Sequence, residues 1–184
     1  MRNVFRLGRS SARDTAGLYA AIVAQSRHPH FYAAWGVPDT VAGRLEMVML
    51  HLYLAATFID RAHPDGKAAA DELMDQFVAD MDSALRELGV GDLSVGKKMR
   101  KVAELYAGHA LAFRGALSSP DRVTALAEVI ARNVDPEKQA PALDARSIAQ
   151  YTDEADRRLA GLSWQDVRRA GLGSLFPAPA EASP

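Results

Sequence analysis

Apolar residues recur along this chain at helical rather than strand spacing. The first periodic stretch covers residues 11–27, where Ser11-Ala12-Arg13-Asp14 resembles a capping box. Pro29 disfavours helical geometry at His28 and stops that helix. Phe31, Tyr32 and Trp35 follow, and a short helical turn puts Phe31 and Trp35 on one face. Val37-Pro38-Asp39-Thr40 is a start signal with Asp39 or Thr40 as N-cap. The next helix is predicted over 41–60, with Val41, Leu45, Val48, Leu52 and Ile59 in phase. His63-Pro64-Asp65-Gly66 breaks it. A third helix over 68–88 carries Met74, Phe77, Val78, Met81, Leu85 and Leu88 as a stripe and stops at Gly89.

After a turn at "VGDLSV", a fourth helix over 96–117 presents Met99, Val102, Tyr106, Phe113 and Leu117. Ser119-Pro120-Asp121 opens a fifth with proline as its first residue. Pro141 opens a sixth with Ile148, Tyr151, Ala155, Leu159 and Leu162 in phase, and Ser163-Trp164-Gln165-Asp166 caps a last short one. No strand-like alternation competes. The fold class is all-α, a single compact domain of six to seven helices over 11–174. The start "MRNVFRLGRSSAR" has four arginines and no acid, so 1–10 reads as a basic flexible tail, with a shortened transit-like segment as the alternative. The Pro/Ala-rich 175–184 reads as a disordered tail.

Composition narrows the chemistry. The 184 residues are 48% hydrophobic and 24% charged, with a net charge of −1, so attraction to nucleic acid or membrane must be local. The absence of cysteine excludes disulfides, thiolate zinc sites, iron–sulfur clusters and a thiol nucleophile. The longest apolar stretch, from Val48 to Ile59, is interrupted by His51, Tyr53 and Thr57 and falls short of a bilayer span. His28 and His30 flank a proline, but no further ligand is evident, so neither metal nor cofactor is expected. Asp80 and Asp82 point about 200° apart on one helix, which leaves Asp82 to pair with Arg86.

Polar residues on apolar faces are more informative. Arg44 and His51 share a face with Val48, Leu54 and Phe58, and His109 sits within the Val102/Tyr106/Phe113 stripe. A buried arginine needs a partner. The pattern therefore predicts an internal polar cluster joining Arg44, His51 and His109 to an acid such as Asp39 or Asp80, either for packing or as a small-molecule pocket for a lipid or quinone-like ligand. Lys97, Lys98, Arg100 and Lys101 form the one compact basic run, at a helix start where the dipole opposes cations. It is a candidate patch for anionic lipid or RNA phosphate, and no DNA-binding, phosphate-loop or nucleophile-elbow motif accompanies it.

Three blocks, "RHPHFYAAWGVPDTVAGRLEMVMLHLYL", "FVADMDSALRELGVGDLSVGKKM" and "YAGHALAFRGAL", are similar in order to the signature blocks of the ubiquinol–cytochrome c chaperone family. The resemblance covers about residues 18–117 and continues more loosely toward 134. It implies a non-enzymatic assembly factor for ubiquinol–cytochrome c reductase. In the family's mitochondrial members the client is newly made cytochrome b, bound near the ribosomal tunnel exit with a small partner protein at the inner membrane. A bacterial member is implied to be cytoplasmic and peripheral to the inner membrane, a eukaryotic one to lie in the mitochondrial matrix. Departures from the family pattern are Leu45 for a usual phenylalanine, His109 for an arginine and Phe113 for a tyrosine. With the resemblance added, the client-surface candidates are Phe31, Tyr32, Trp35, Asp39, Arg44, His51, Asp80 and His109.

Overall fold

The computed structural model describes residues 4–87, 89–137 and 140–179, and the side chains of these apart from 4–13, 92 and 93. Among the described residues there are eight α-helices, a closing 3₁₀ turn and no strand: α1 (Val4–Ser26), α2 (Pro29–Ala33), α3 (Val41–Ala62), α4 (Gly66–Glu87), α5 (Asp92–Leu117), α6 (Arg122–Val134), α7 (Ala145–Gly161), α8 (Trp164–Ala170) and the turn Leu172–Ser174. The all-α expectation holds, with the short α2 raising the count from seven to eight.

Helix α3 is the axis of the bundle. It packs against α1, α4, α5, α6 and α7, and Met49 to Ala55 are buried without interruption. A helix buried on all sides is apolar all round. By length and composition α3 could cross a membrane, but 67% of its apolar window is buried inside the protein, as befits a core helix. Helices α1 and α4 cover one side, and α6 and α7 pair on the other.

Side-chain caps set most starts. Thr40, not Asp39, caps α3 by accepting from Gly43 N at 3.1 Å. Ser163 and Asp166 complete the capping box of α8. Two starts fall later than their prolines. Asp121 caps α6, so Pro120 precedes the cap. Asp144 caps α7 by accepting from Ser147 N at 2.9 Å, while its own N–H donates to Trp35 O at 2.9 Å and leaves Pro141 in a turn. Two others fall earlier. Gly91 lets α5 begin at Asp92, so the basic run occupies its second and third turns rather than its start. Helix α1 begins at Val4, so Ser11 is interior and 4–10 are helical rather than tail; residues 1–3 lie outside the described set. At the other end, Leu175 and Phe176 are buried in the core, because Phe176 packs edge-on against His51 at 4.9 Å. The disordered-tail expectation fails there, and 180–184 lie outside the described residues.

The stripe predicted for α3 holds only in its second half: Leu52 and Ile59 are fully buried, but Val41 is 70% exposed and Leu45 and Val48 are half-buried, while Met47, Leu50, Leu54 and Phe58 also fill the core. On α4 the core takes Ala69, Leu73 and Phe77, while Met81 and Leu85 stay half-buried and Val78 is exposed; Leu88 lies outside the described residues. The unfilled apolar positions of α3 and α4 meet at one end of the bundle.

Candidate functional site

The stretch between α1 and α3 builds a stiff corner. Pro29 is the first residue of α2, and His28 Nδ1 caps it by accepting from His30 N. Phe31 and Trp35 are buried with ring centroids 5.4 Å apart, and Tyr151 of α7 lies 5.1 Å from Phe31 and 5.9 Å from Trp35. Offset and edge-to-face rings at these distances are mutually attractive. Gly36 closes the corner at φ +66°, where a Cβ would stand 2.1 Å from Ala142 O. Tyr32 donates to Ser26 O at 2.7 Å and anchors the corner to the end of α1.

Behind the corner runs a polar chain through the core. His51 is fully buried, with Nδ1 2.7 Å from Met47 O and Nε2 2.8 Å from the Tyr151 hydroxyl. A carbonyl only accepts, so Nδ1 carries the proton and Nε2 accepts from Tyr151. Burial pulls His51 down to about 4, which keeps the ring neutral, and burial pushes the Tyr151 phenol up. Gln25 Nε2 donates to the Tyr151 oxygen at 2.9 Å and to Pro177 O at 3.0 Å. The chain joins α1, α3, α7 and the segment after the 3₁₀ turn.

The predicted Arg44/His51/His109 cluster does not form. Arg44 is exposed and bonds Asp39 at 2.6 Å, with its guanidinium 5.8 Å from the Tyr32 ring centroid. That bond lowers the Asp39 carboxyl. The arginine stays in water because the carboxylate five residues upstream is at the surface beside it. His109 is buried with Nδ1 3.1 Å from Glu46 Oε2, so its acid is Glu46 rather than Asp39 or Asp80. Asp80 accepts from Tyr19 at 2.8 Å, and Asp82 pairs with Arg86 at 2.7 Å as the helical spacing required. Three residues with three separate partners do not share a small-molecule pocket. Among the described residues no group of three His, Asp or Glu is placed to hold a metal ion.

What the sequence reading missed is a groove. Val23 of α1, Arg27 just after it, Val41, Leu45 and Val48 of α3, Met81, Ala84 and Leu85 of α4 and Val102 of α5 line an open apolar trough of about 230 Å³ with Arg44 and Asp80 at its rim. A second hollow of about 280 Å³, walled by Pro29, Tyr32, Ala33 and Asp39, shares Arg27 and Arg44 with it. The signal was present in the over-wide apolar stripes of α3 and α4, which exceed what the core accepts. Lys97, Lys98, Arg100 and Lys101 are all exposed on α5, and Lys98 lies one turn before the groove residue Val102. The corner itself is core, and Phe31 and Trp35 do not line the groove.

Comparison with known proteins agrees with this architecture. A structure described as the Cbp3 homolog from Brucella abortus is 34% identical and superposes with a TM-score of 0.77 over 93% of this chain and 92% of that one. No curated protein matches the chain. The family model of the ubiquinol-cytochrome C chaperone matches residues 33–176, which takes in α3 to α8 and nearly all of the groove. The chain therefore belongs to the ubiquinol–cytochrome c chaperone family.

Proposed function

We propose that this protein is a non-enzymatic assembly chaperone of ubiquinol–cytochrome c reductase whose client is newly made cytochrome b. The observation that carries the reading is the apolar groove between α1, α3, α4 and α5. A client with membrane-spanning helices exposes aliphatic surface before it is assembled, and an aliphatic trough on a rigid bundle is suited to one amphipathic or apolar helix. Val41, Leu45, Val48, Met81 and Leu85 supply van der Waals area without a charged floor, which favours a range of aliphatic sequences over one ligand. Membership of the chaperone family supports the same reading.

The test has two parts. Deleting the gene in its own host lowers assembled ubiquinol–cytochrome c reductase and leaves the other respiratory complexes near normal. The tagged protein recovers cytochrome b, and Leu85→Glu, which puts a carboxylate in the half-buried groove wall, abolishes that recovery while the protein stays folded by circular dichroism. Normal complex levels in the deletion strain, or undiminished recovery by the folded Leu85→Glu protein, refute the proposal.

A further inference from the structure

We infer that the groove selects the direction of the helix it holds: the occupant lies with its N-terminal end at Asp80 and its C-terminal end at Arg27. The inference rests on the groove being the client site, and it adds which way the client segment runs. Tyr19 donates to Asp80 at 2.8 Å and Gln76 to Thr15 at 3.5 Å, and both pairs join residues 61 positions apart. Helices α1 and α4 therefore run parallel and in step, with Val23 level with Ala84 and Arg27 level with the end of α4. From Tyr19 to Arg27 is about 12 Å along a helix, a little over two turns. Arg44 shares the second hollow with Arg27, so Val48, one turn further along α3, lies inward of both. Asp80 thus marks the inner end of the groove and Arg27 its outer end, with Val23, Val48 and Ala84 between them.

The two ends carry opposite charge. Among the described residues the charged side chains lining the groove are Arg27, Arg44 and Asp80. Arg44 is paired with Asp39, so the outer end keeps the charge of Arg27, which has no carboxylate partner among the described residues. Asp80 accepts from the neutral Tyr19 hydroxyl and has no cation within ion-pair distance among the described residues, so the inner end keeps its negative charge. The neighbouring acids are spent elsewhere: Glu46 faces His109, Asp82 holds Arg86, and neither lines the groove. A helix carries partial positive charge at its N-terminus and partial negative charge at its C-terminus, and it matches these two ends in one direction only. An extended peptide would lay unpaired backbone amides over an aliphatic floor, a cost that a helix avoids by bonding its amides internally. Charges placed in this way fix orientation more than they add affinity. The segment that fits is an aliphatic helix with a cation in the turn over Asp80 and an acid in the turn over Arg27.

The experiment measures fluorescence anisotropy of the full chain with two hydrocarbon-stapled aliphatic helices of identical composition. One carries lysine in its first turn and glutamate in its last; the other has them exchanged. Stapling keeps their helicity equal. An exposed ion pair is worth at most about five-fold, and exchanging the charges turns two attractions into two repulsions, so the lysine-first helix binds about ten-fold more tightly at low salt. Added salt shrinks that preference. Arg27 and Asp80 are exposed, so both can be changed without touching the core. Arg27→Gln with Asp80→Asn abolishes the preference, and Arg27→Glu with Asp80→Lys reverses it. Equal binding of the two helices, each lost in Leu85→Glu, overturns the directional inference and leaves the groove as the client site. A preference that survives the charge exchange, or a glutamate-first preference in the unaltered chain, also overturns it. Failure of both helices to bind overturns the inference together with the groove reading on which it rests.

Discussion

Removing one oxygen atom tests the buried polar chain. In Tyr151→Phe the ring keeps its stacking against Phe31 and Trp35, at 5.1 and 5.9 Å, so packing changes little. What is lost is the donor to His51 Nε2 and the acceptor for Gln25 Nε2. His51 is enclosed by Phe31, Tyr151 and Phe176, none of which offers another donor once the hydroxyl is gone, so its nitrogen is left buried and unpaired. Such an orphan costs about 1–3 kcal/mol. Gln25 is only part-buried and retains Pro177 O, so its share is smaller. The sum is about 2–4 kcal/mol, which at this chain length lowers the melting temperature by roughly 5–15 °C. Urea titration of both proteins measures it as a change in midpoint at constant slope. His51→Leu with Tyr151→Phe then costs less than the two singles added together, because removing both partners leaves no orphan. A Tyr151→Phe penalty below about 0.5 kcal/mol, or strict additivity of the pair, refutes the assigned network.

The same histidine gives the fold an acid sensitivity. His51 is held at about 4 in the folded protein, against about 6.5 unfolded, so the unfolded chain takes up a proton first as pH falls. Stability is therefore intact above about pH 6.5 and declines between there and pH 4, by up to about 3 kcal/mol; His51→Leu flattens that part of the urea-measured profile, and an unchanged slope counts against it. The corner makes a contrast of a different kind. Trp35→Ala empties a buried site and destabilises by about 3–5 kcal/mol, whereas Asp39→Ala breaks only a surface pair and leaves the thermal midpoint unmoved. Thermal unfolding of the two variants side by side checks this, and equal shifts would show that the corner is not held by its aromatic core.

Helix periods and turn residues were legible from the chain, since they are local. The all-α class, the Thr40 start, the Ser163 box and the Asp82–Arg86 pair all follow from residues within a turn of each other. The partners of the buried histidines were not legible. Tyr151 lies 100 positions from His51, and Glu46 lies on a different helix from His109, so only the packing of α3 against α7 and α5 selects them. Arg44 misled because periodicity places a residue on a face without saying whether the face is covered. The same ambiguity hid the groove. Val41, Leu45 and Val48 read as core, but α1 ends at Ser26 and the space between them and the end of α4 stays open as the groove. Glycine at 91 carried a start that composition read as a turn.

The link from Gln25 to Pro177 has a consequence for how the chain reaches this state. The network that satisfies the centre of α3 draws on residues 25, 51, 151 and 177, spread across most of the polypeptide. As the chain is synthesised from its N-terminus, α1, α3 and α4 can associate early around their shared apolar contacts, but His51 Nε2 waits for Tyr151, and Phe176 seals it last. Contacts of such long sequence separation form slowly. The polar chain at the centre of α3 is therefore complete only when residues 175–177 are in place, since Phe176 covers His51 and Pro177 O accepts from Gln25.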